Sequence, residues 1–195
     1  QRIKFNKKVI KPIKVIYLSG RRNPIEDAMM FGKLDMEGKV SEIVDDLRII
    51  EPRVKSLSAI PFGNTSAIYA DIGIGKKLPV SLMGEGTAKL LSMILSIAST
   101  KDGIVLIDEL ENGIHYSIYE DLWRLLIKLA QKYNCQLFIT THSYEIIKYL
   151  KFDREIKNNN IVKYYRLSKE NDQIVSKHYD QNTLQVALEN DWEIR

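Results

Sequence analysis

The sequence predicts an α/β fold in which a mostly parallel sheet is covered by helices. Three observations lead there. First, from about residue 85 to 150 the chain alternates helix, strand, helix, strand, helix, the order that builds parallel sheets with helical crossovers. Second, Ile104-Val-Leu-Ile107 and Gln136 to Thr140 are short and apolar on both faces, as strands covered on both sides must be. Third, the 195 residues are 45% hydrophobic and 28% charged, which suits one core with at most a small appended subdomain.

The elements follow in order. Lys11 to Ser19 reads as a strand through Val15-Ile16-Tyr17-Leu18, broken by Gly20-Arg21-Arg22-Asn23-Pro24. Ile25 to Ile50 is helical in spacing, divided near Gly38, with Met29, Met30, Phe31 and Leu34 and then Val40, Ile43, Val44 and Leu47 on the apolar faces. Glu51-Pro52 ends it, because the residue before proline avoids the helical region. Leu57 to Pro79 reads as short strands with turns at Pro61 to Asn64 and at Gly73-Ile-Gly75, and Ser66 to Asp71 is the best strand among them. A helix over Glu85 to Ala98 carries Leu90, Leu91, Ile94, Leu95 and Ala98 on one face; further helices are expected from about Ser117 to Tyr133 and from about Tyr144 to Leu150. Beyond Asn158-Asn-Asn160, Ile161 to Leu167 pairs with Gln173 to Tyr179 across Ser168 to Asp172, and Thr183 is placed to cap a last helix, Leu184 to Glu189.

No apolar run approaches the roughly 18 residues that cross a membrane. The single cysteine, Cys135, excludes an internal disulfide framework and fits a reducing, cytoplasmic setting; just before Gln136-Leu-Phe-Ile139, it reads as a buried thiol in a strand. Net charge is +4, too small to name a partner, but the chain has no acidic residue before Glu26. Arg2, Lys4, Lys7, Lys8, Lys11, Lys14, Arg21 and Arg22 all lie there, as a phosphate-facing edge or as a solvated strand flank. The chain starts at Gln1, which is expected of an internal start in something longer.

The chemistry centres on Asp108-Glu109, at the carboxyl end of the Ile104–Ile107 strand, the edge at which ligands bind in open α/β sheets. Successive strand side chains point opposite ways, so the two acids have different tasks. One suits a magnesium ion; the other suits polarising an attacking water. The neighbouring strand ends in Thr140-Thr141-His142-Ser143, so His142 can reach the same place, with Thr141 or Ser143 capping the next helix. In Glu111-Asn-Gly-Ile-His115, Gly113 permits a positive-φ turn, and His115 either bridges subunits or packs at a helix start. Ser81-Leu-Met-Gly-Glu-Gly-Thr87 runs into a helix, where free backbone N–H groups meet anions.

In this order the segments resemble the ABC/SMC-type P-loop ATPases, and within them the OLD-like proteins grouped as AAA-family ATP-binding proteins. The resemblance covers about residues 12 to 195, most closely 79 to 150. It also takes in Gly20-Arg-Arg and the ending Glu189-Asn-Asp-Trp-Glu-Ile-Arg195. It implies the C-terminal portion of one ATPase domain. About 25–50 form a small helical insertion, 79–150 carry the signature, Walker B and switch-histidine core, and 161–195 form a terminal hairpin and helix. It further implies that Gly84, Glu85 and Gly86 meet the ATP of a partner subunit in a homodimer. Asp108 would hold Mg, Glu109 would activate water, and His142 would sense the γ-phosphate. Glu111 to His115 correspond to the D-loop.

Two departures qualify this. Leu82 stands where the family signature has serine, and no P-loop is present. Ala70 to Lys77 has Gly75-Lys76 but lacks the first glycine and the Ser/Thr, and reads as a hairpin turn. The chain is therefore expected to be inactive alone, as part of an ATPase acting in DNA-related or defence processes. Two other readings stand beside it. One is a non-enzymatic nucleic-acid or effector-protein-binding module. The other is a nuclease using Asp108, Glu109, Glu111 and a histidine.

Overall fold

A computed structural model describes residues 12–19, 23–63, 65–150, 161–190 and 192. Its centre is a parallel sheet of β1 (Val15–Leu18), β5 (Ile104–Ile107) and β6 (Gln136–Ile139), in the order β1-β5-β6. The register sets Leu18, Ile107 and Ile139 side by side, so all three strands end at one edge. Between β1 and β5 the chain forms α1 (Pro24–Met36), α2 (Val40–Arg48), the antiparallel strands β2 (Ser56–Phe62), β3 (Thr65–Asp71) and β4 (Lys77–Pro79), and α3 (Glu85–Ala98). Between β5 and β6 lies α4 (Tyr119–Lys132), and β6 leads into α5 (Tyr144–Lys148).

The core is built around α3. Its residues from Ala88 to Ala98 are all buried, because it packs against β1 and β5 on one side and against α1, α2 and α4 on the other. A helix buried around most of its circumference has no other stable place, and its buried polar groups find partners there, Ser92 on Asp27 and Lys89 on the Glu109 carbonyl. α2 and α4 are tied at the rim, where Lys128 meets the buried Asp46 at 2.8 Å and Lys132 meets Glu42 at 2.8 Å. Strand order that advances from β1 to β5 to β6 through right-handed crossovers puts α3 and α4 on the same face. The expected helix-flanked parallel sheet is thus present, with α3 and α4 on one side. The opposite face carries Val15, Tyr17 and Phe138 at 53, 60 and 51% exposure.

Most expected boundaries hold to within a few residues. Asn23 caps α1 by accepting from the Ile25 and Glu26 N–H groups, and Gly38, at φ +73, separates α1 from α2. Two differences have physical causes. β7 (Tyr164–Glu170) runs three residues past the expected strand end, and pairs with β8 (Gln173–Tyr179) across Asn171-Asp172. Both turn residues have positive φ, and a two-residue turn of that kind matches the twist of the strands it joins. The last helix, α6 (Gln181–Glu189), begins earlier than expected because Asp180 is its cap, with its carboxylate accepting from the Thr183 N–H at 2.8 Å. The Asn158-Asn-Asn160 break lies outside the described residues.

Candidate functional site

The acidic pair sits just past the end of β5, flanked by the ends of β1 and β6. Asp108 Oδ1 accepts from the Thr140 hydroxyl at 2.5 Å, and Oδ2 from the Tyr17 hydroxyl at 3.2 Å. The same Thr140 oxygen accepts the Glu109 N–H at 2.9 Å. The Thr140 hydroxyl, then Tyr17, the nearby His142 and the Glu109 N–H, hold the Asp108 carboxyl below its usual range against the effect of desolvation. In return, the Asp108 charge pushes the Tyr17 hydroxyl up.

Glu109 points elsewhere, but not by strand alternation. β5 ends at Ile107 and Glu109 is in the left-handed region at φ +49. The turn, rather than a pleat, separates the two carboxylates. Glu109 Oε2 accepts from the Asn112 amide, and the Glu109 carbonyl accepts from Lys89 Nζ at 2.6 Å. Lys89 is only 8% exposed; burial pushes its amine down, opposed by Glu111, Glu109, Glu85 and Asp108.

Glu111 binds the next strand end. Its carboxylate accepts from the Thr141 hydroxyl at 2.5 Å and from the His142 N–H at 2.8 Å. Burial favours its protonated form, but these donors outweigh burial and its carboxyl lies below the usual glutamate range. The His142 ring is exposed beside the acids. Ser143 caps α5 by accepting from the Ile146 N–H, while Thr141 accepts the Ser143 N–H.

The glycine turn before α3 lies beside the acid-bearing turn. Gly84 is the cap residue at φ 117, and no side chain caps the helix. A Cβ on Gly86 would lie 2.6 Å from the Gly113 carbonyl oxygen, and Gly113 itself is at φ +72 against the Glu85 side chain. Backbone therefore meets backbone where the two turns touch. Leu82 is 73% exposed at the edge of this turn.

Of the residues singled out in the sequence, Asp108, Glu109 and His142 come together at one sheet edge, with Gly84, Glu85 and Gly86 at the adjacent helix start. His115 packs at a helix start: its Nδ1 accepts the Ser117 N–H at 3.3 Å, and its ring lies 4.3 Å from that of Tyr116. The Gly73–Gly75 segment is the hairpin turn between β3 and β4, with both glycines at positive φ. Cys135 is buried, and burial pushes its thiol up. Tyr17, Lys89, Asn112 and Thr140 were given no role at the site from the sequence. Only Thr140, a hydroxyl ending a strand beside an acidic pair, left a signal that could have been read. Among the basic residues before Glu26, Lys14 donates to the Ser99 carbonyl at 2.6 Å. Arg2, Lys4, Lys7, Lys8, Lys11, Gly20, Arg21 and Arg22 lie outside the described residues.

The acid donors fit a magnesium ion that arrives with a nucleotide. Asp108 offers one carboxylate with lone pairs still open, and magnesium is commonly held by one or two carboxylates plus phosphates. Among the described residues no group of three or more His, Cys, Asp or Glu side chains is arranged to hold a metal, so a nuclease-type metal cage is not formed there. No described helix is long and apolar enough to cross a membrane.

Solved structures share this fold. One is an SMC ATPase described for ATP-driven dimerization and DNA-stimulated activation. It matches at TM-score 0.56 and 13% identity, over 85% of this chain and 99% of its own. A second is the Smc head bound to the C-winged helix domain of ScpA. It matches at TM-score 0.56 and 14% identity, over 85% of this chain and 53% of its own. Residues 2–148 match the family described as "AAA domain, putative AbiEii toxin, Type IV TA system", and the chain belongs to that family. A protein of Helicobacter pylori named ATP/GTP phosphatase is 28% identical over 147 residues, 70% of this chain. The chain spans 38% of that relative's length.

Proposed function

We propose that this chain supplies the signature and Walker B half of a composite ATP-hydrolysing site, acting in DNA-related or defence processes. The observation that carries the reading is the divergence of Asp108 and Glu109 at the common end of three parallel strands, with Thr140 and His142 beside them. Asp108, ionised and held by two hydroxyls, faces the nucleotide's magnesium. Glu109, oriented by Asn112, accepts hydrogen-bonding from the attacking water and polarises it. His142 presents its ring to the γ-phosphate. Bound Mg-ATP supplies the phosphoanhydride and the charge that these groups act on. The start of α3 at Gly84–Gly86 offers backbone N–H groups to the nucleotide of a second copy, so that two chains complete each other's sites. Leu82 leaves that contact to the backbone alone.

The phosphate cradle and its lysine are not in these residues, so the chain alone is expected to turn ATP over poorly. The test is Glu109→Gln in a form of the protein that carries the phosphate-binding loop. Turnover should fall by roughly 10²–10⁴-fold while ATP stays bound and dimers persist on gel filtration. Unchanged turnover removes Glu109 as the base.

A further inference from the structure

Glu109 is held from three directions. Its N–H is fixed by Thr140 at the end of β6, and its carbonyl by two donors: the Asn112 N–H at 3.1 Å and Lys89 Nζ at 2.6 Å. Such clamping is needed because a non-glycine residue at φ +49 is conformationally disfavoured. Thr140 and Asn112 belong to the same strand-end cluster as Glu109. Lys89 does not. It stands on α3, about one helical turn beyond Gly84, and it reaches Glu109 from the helix whose first residues are proposed above to face a partner's nucleotide.

Three further facts bear on Lys89. It is 8% exposed, and a buried ammonium stays only where partners compensate its lost hydration. Burial pushes its amine down, and the carboxylates of Glu111, Glu109, Glu85 and Asp108 oppose that effect, so the charges it faces are those of the site. Finally, α3 is held in the core from Ala88 to Ala98. Its N-terminus cannot approach Gly113 more closely, because Gly86 already sits where a single added carbon would meet the Gly113 oxygen. The Lys89 amine therefore ties the helix that opens at the Gly84 turn directly to the Glu109 carbonyl.

We propose that Lys89 is a positioning residue that couples the Gly84–Gly86 turn to Glu109, so that the aim of the base responds to the nucleotide held across the dimer. The proposal rests on the assignment of Glu109 as the base. It predicts that the Lys89 contact matters for turnover and cooperativity, and little for ATP capture.

The experiment compares Lys89→Met, Lys89→Arg and Glu109→Gln in the loop-bearing ATPase. Each is measured for kcat, KM and Hill coefficient for ATP, and scaled to folded protein. Lys89→Met should lower kcat by about tenfold or more, with KM for ATP within about twofold, and should bring the Hill coefficient toward one. Lys89→Arg, which keeps a cation and its donors, should restore much of both. A kcat within about twofold of wild type in Lys89→Met, while Glu109→Gln is inactive, overturns the coupling and leaves the base intact. Reduced kcat with undiminished cooperativity also overturns it, because Lys89 is then only a prop. Full activity in Glu109→Gln removes the base reading instead. If Lys89→Met does not fold, Lys89→Gln carries the same comparison.

Discussion

Gly86 and Gly32 offer the same substitution with opposite expected signs. Both lie in helices at ordinary negative φ, so Ala should gain roughly 0.8–1.0 kcal/mol of helix propensity at an interior position. At Gly32, within α1, an added Cβ meets nothing within 4 Å. Gly32→Ala should therefore stabilise by about 0.5–1 kcal/mol. At Gly86 the added carbon lies 2.6 Å from the Gly113 carbonyl oxygen, and both partners are backbone. Relief requires the two turns to separate by several tenths of an ångström. Overpacking of this sort costs about 1–3 kcal/mol, which exceeds the reduced propensity gain in a first helical turn. Gly86→Ala should thus be less stable than Gly32→Ala by at least about 1 kcal/mol, or about 2–4 °C in Tm for a chain of this size. Urea unfolding with constant slope, followed by circular dichroism, measures the difference. If Gly86→Ala stabilises as much as Gly32→Ala, the turns do not touch, and the contact between the two halves of the site is wrong.

Two further outcomes are expected. Leu95, fully buried in α3, should lose about 2–5 kcal/mol on truncation to Ala, seen as a lower urea midpoint; a loss under 1 kcal/mol would mean α3 is not the centre of the core. Glu111 has a folded pKa below its ordinary value of 4.5, so its contribution is complete above that pH and fades as pH falls through the folded value. Glu111→Gln should flatten the loss of stability below pH 4.5; an identical pH profile in the variant would show that Thr141 and His142 do not hold the carboxylate.

Much of the fold was legible because its signals are local. The α3 boundaries match the expected Glu85 to Ala98, and β5 the expected Ile104 to Ile107, since apolar spacing and a flanking glycine or charge mark both ends. The hairpin end was misplaced because Ser168, Lys169 and Glu170 look like turn residues by polarity. An exposed two-stranded ribbon carries polar side chains on both faces, so polarity says little about where it stops. The cap of α6 was likewise shifted by three residues, because Asp180 and Thr183 are both good caps and only geometry chooses between them.

The site divides along the same line. The sequence by itself determined which acids stand at the end of an apolar strand, that His142 ends another, and that a glycine turn opens α3. These are properties of neighbours in the chain. The tertiary structure alone decided what surrounds the acids. Tyr17, Thr140 and Lys89 lie 91, 32 and 20 residues from the members of the pair they bind. They meet there because parallel strands end in register and α3 runs beneath them. Tertiary structure also decided how Asp108 and Glu109 part company. Strand alternation was the reason expected from sequence, but β5 has already ended, and a left-handed turn held by Thr140, Asn112 and Lys89 sends Glu109 its own way.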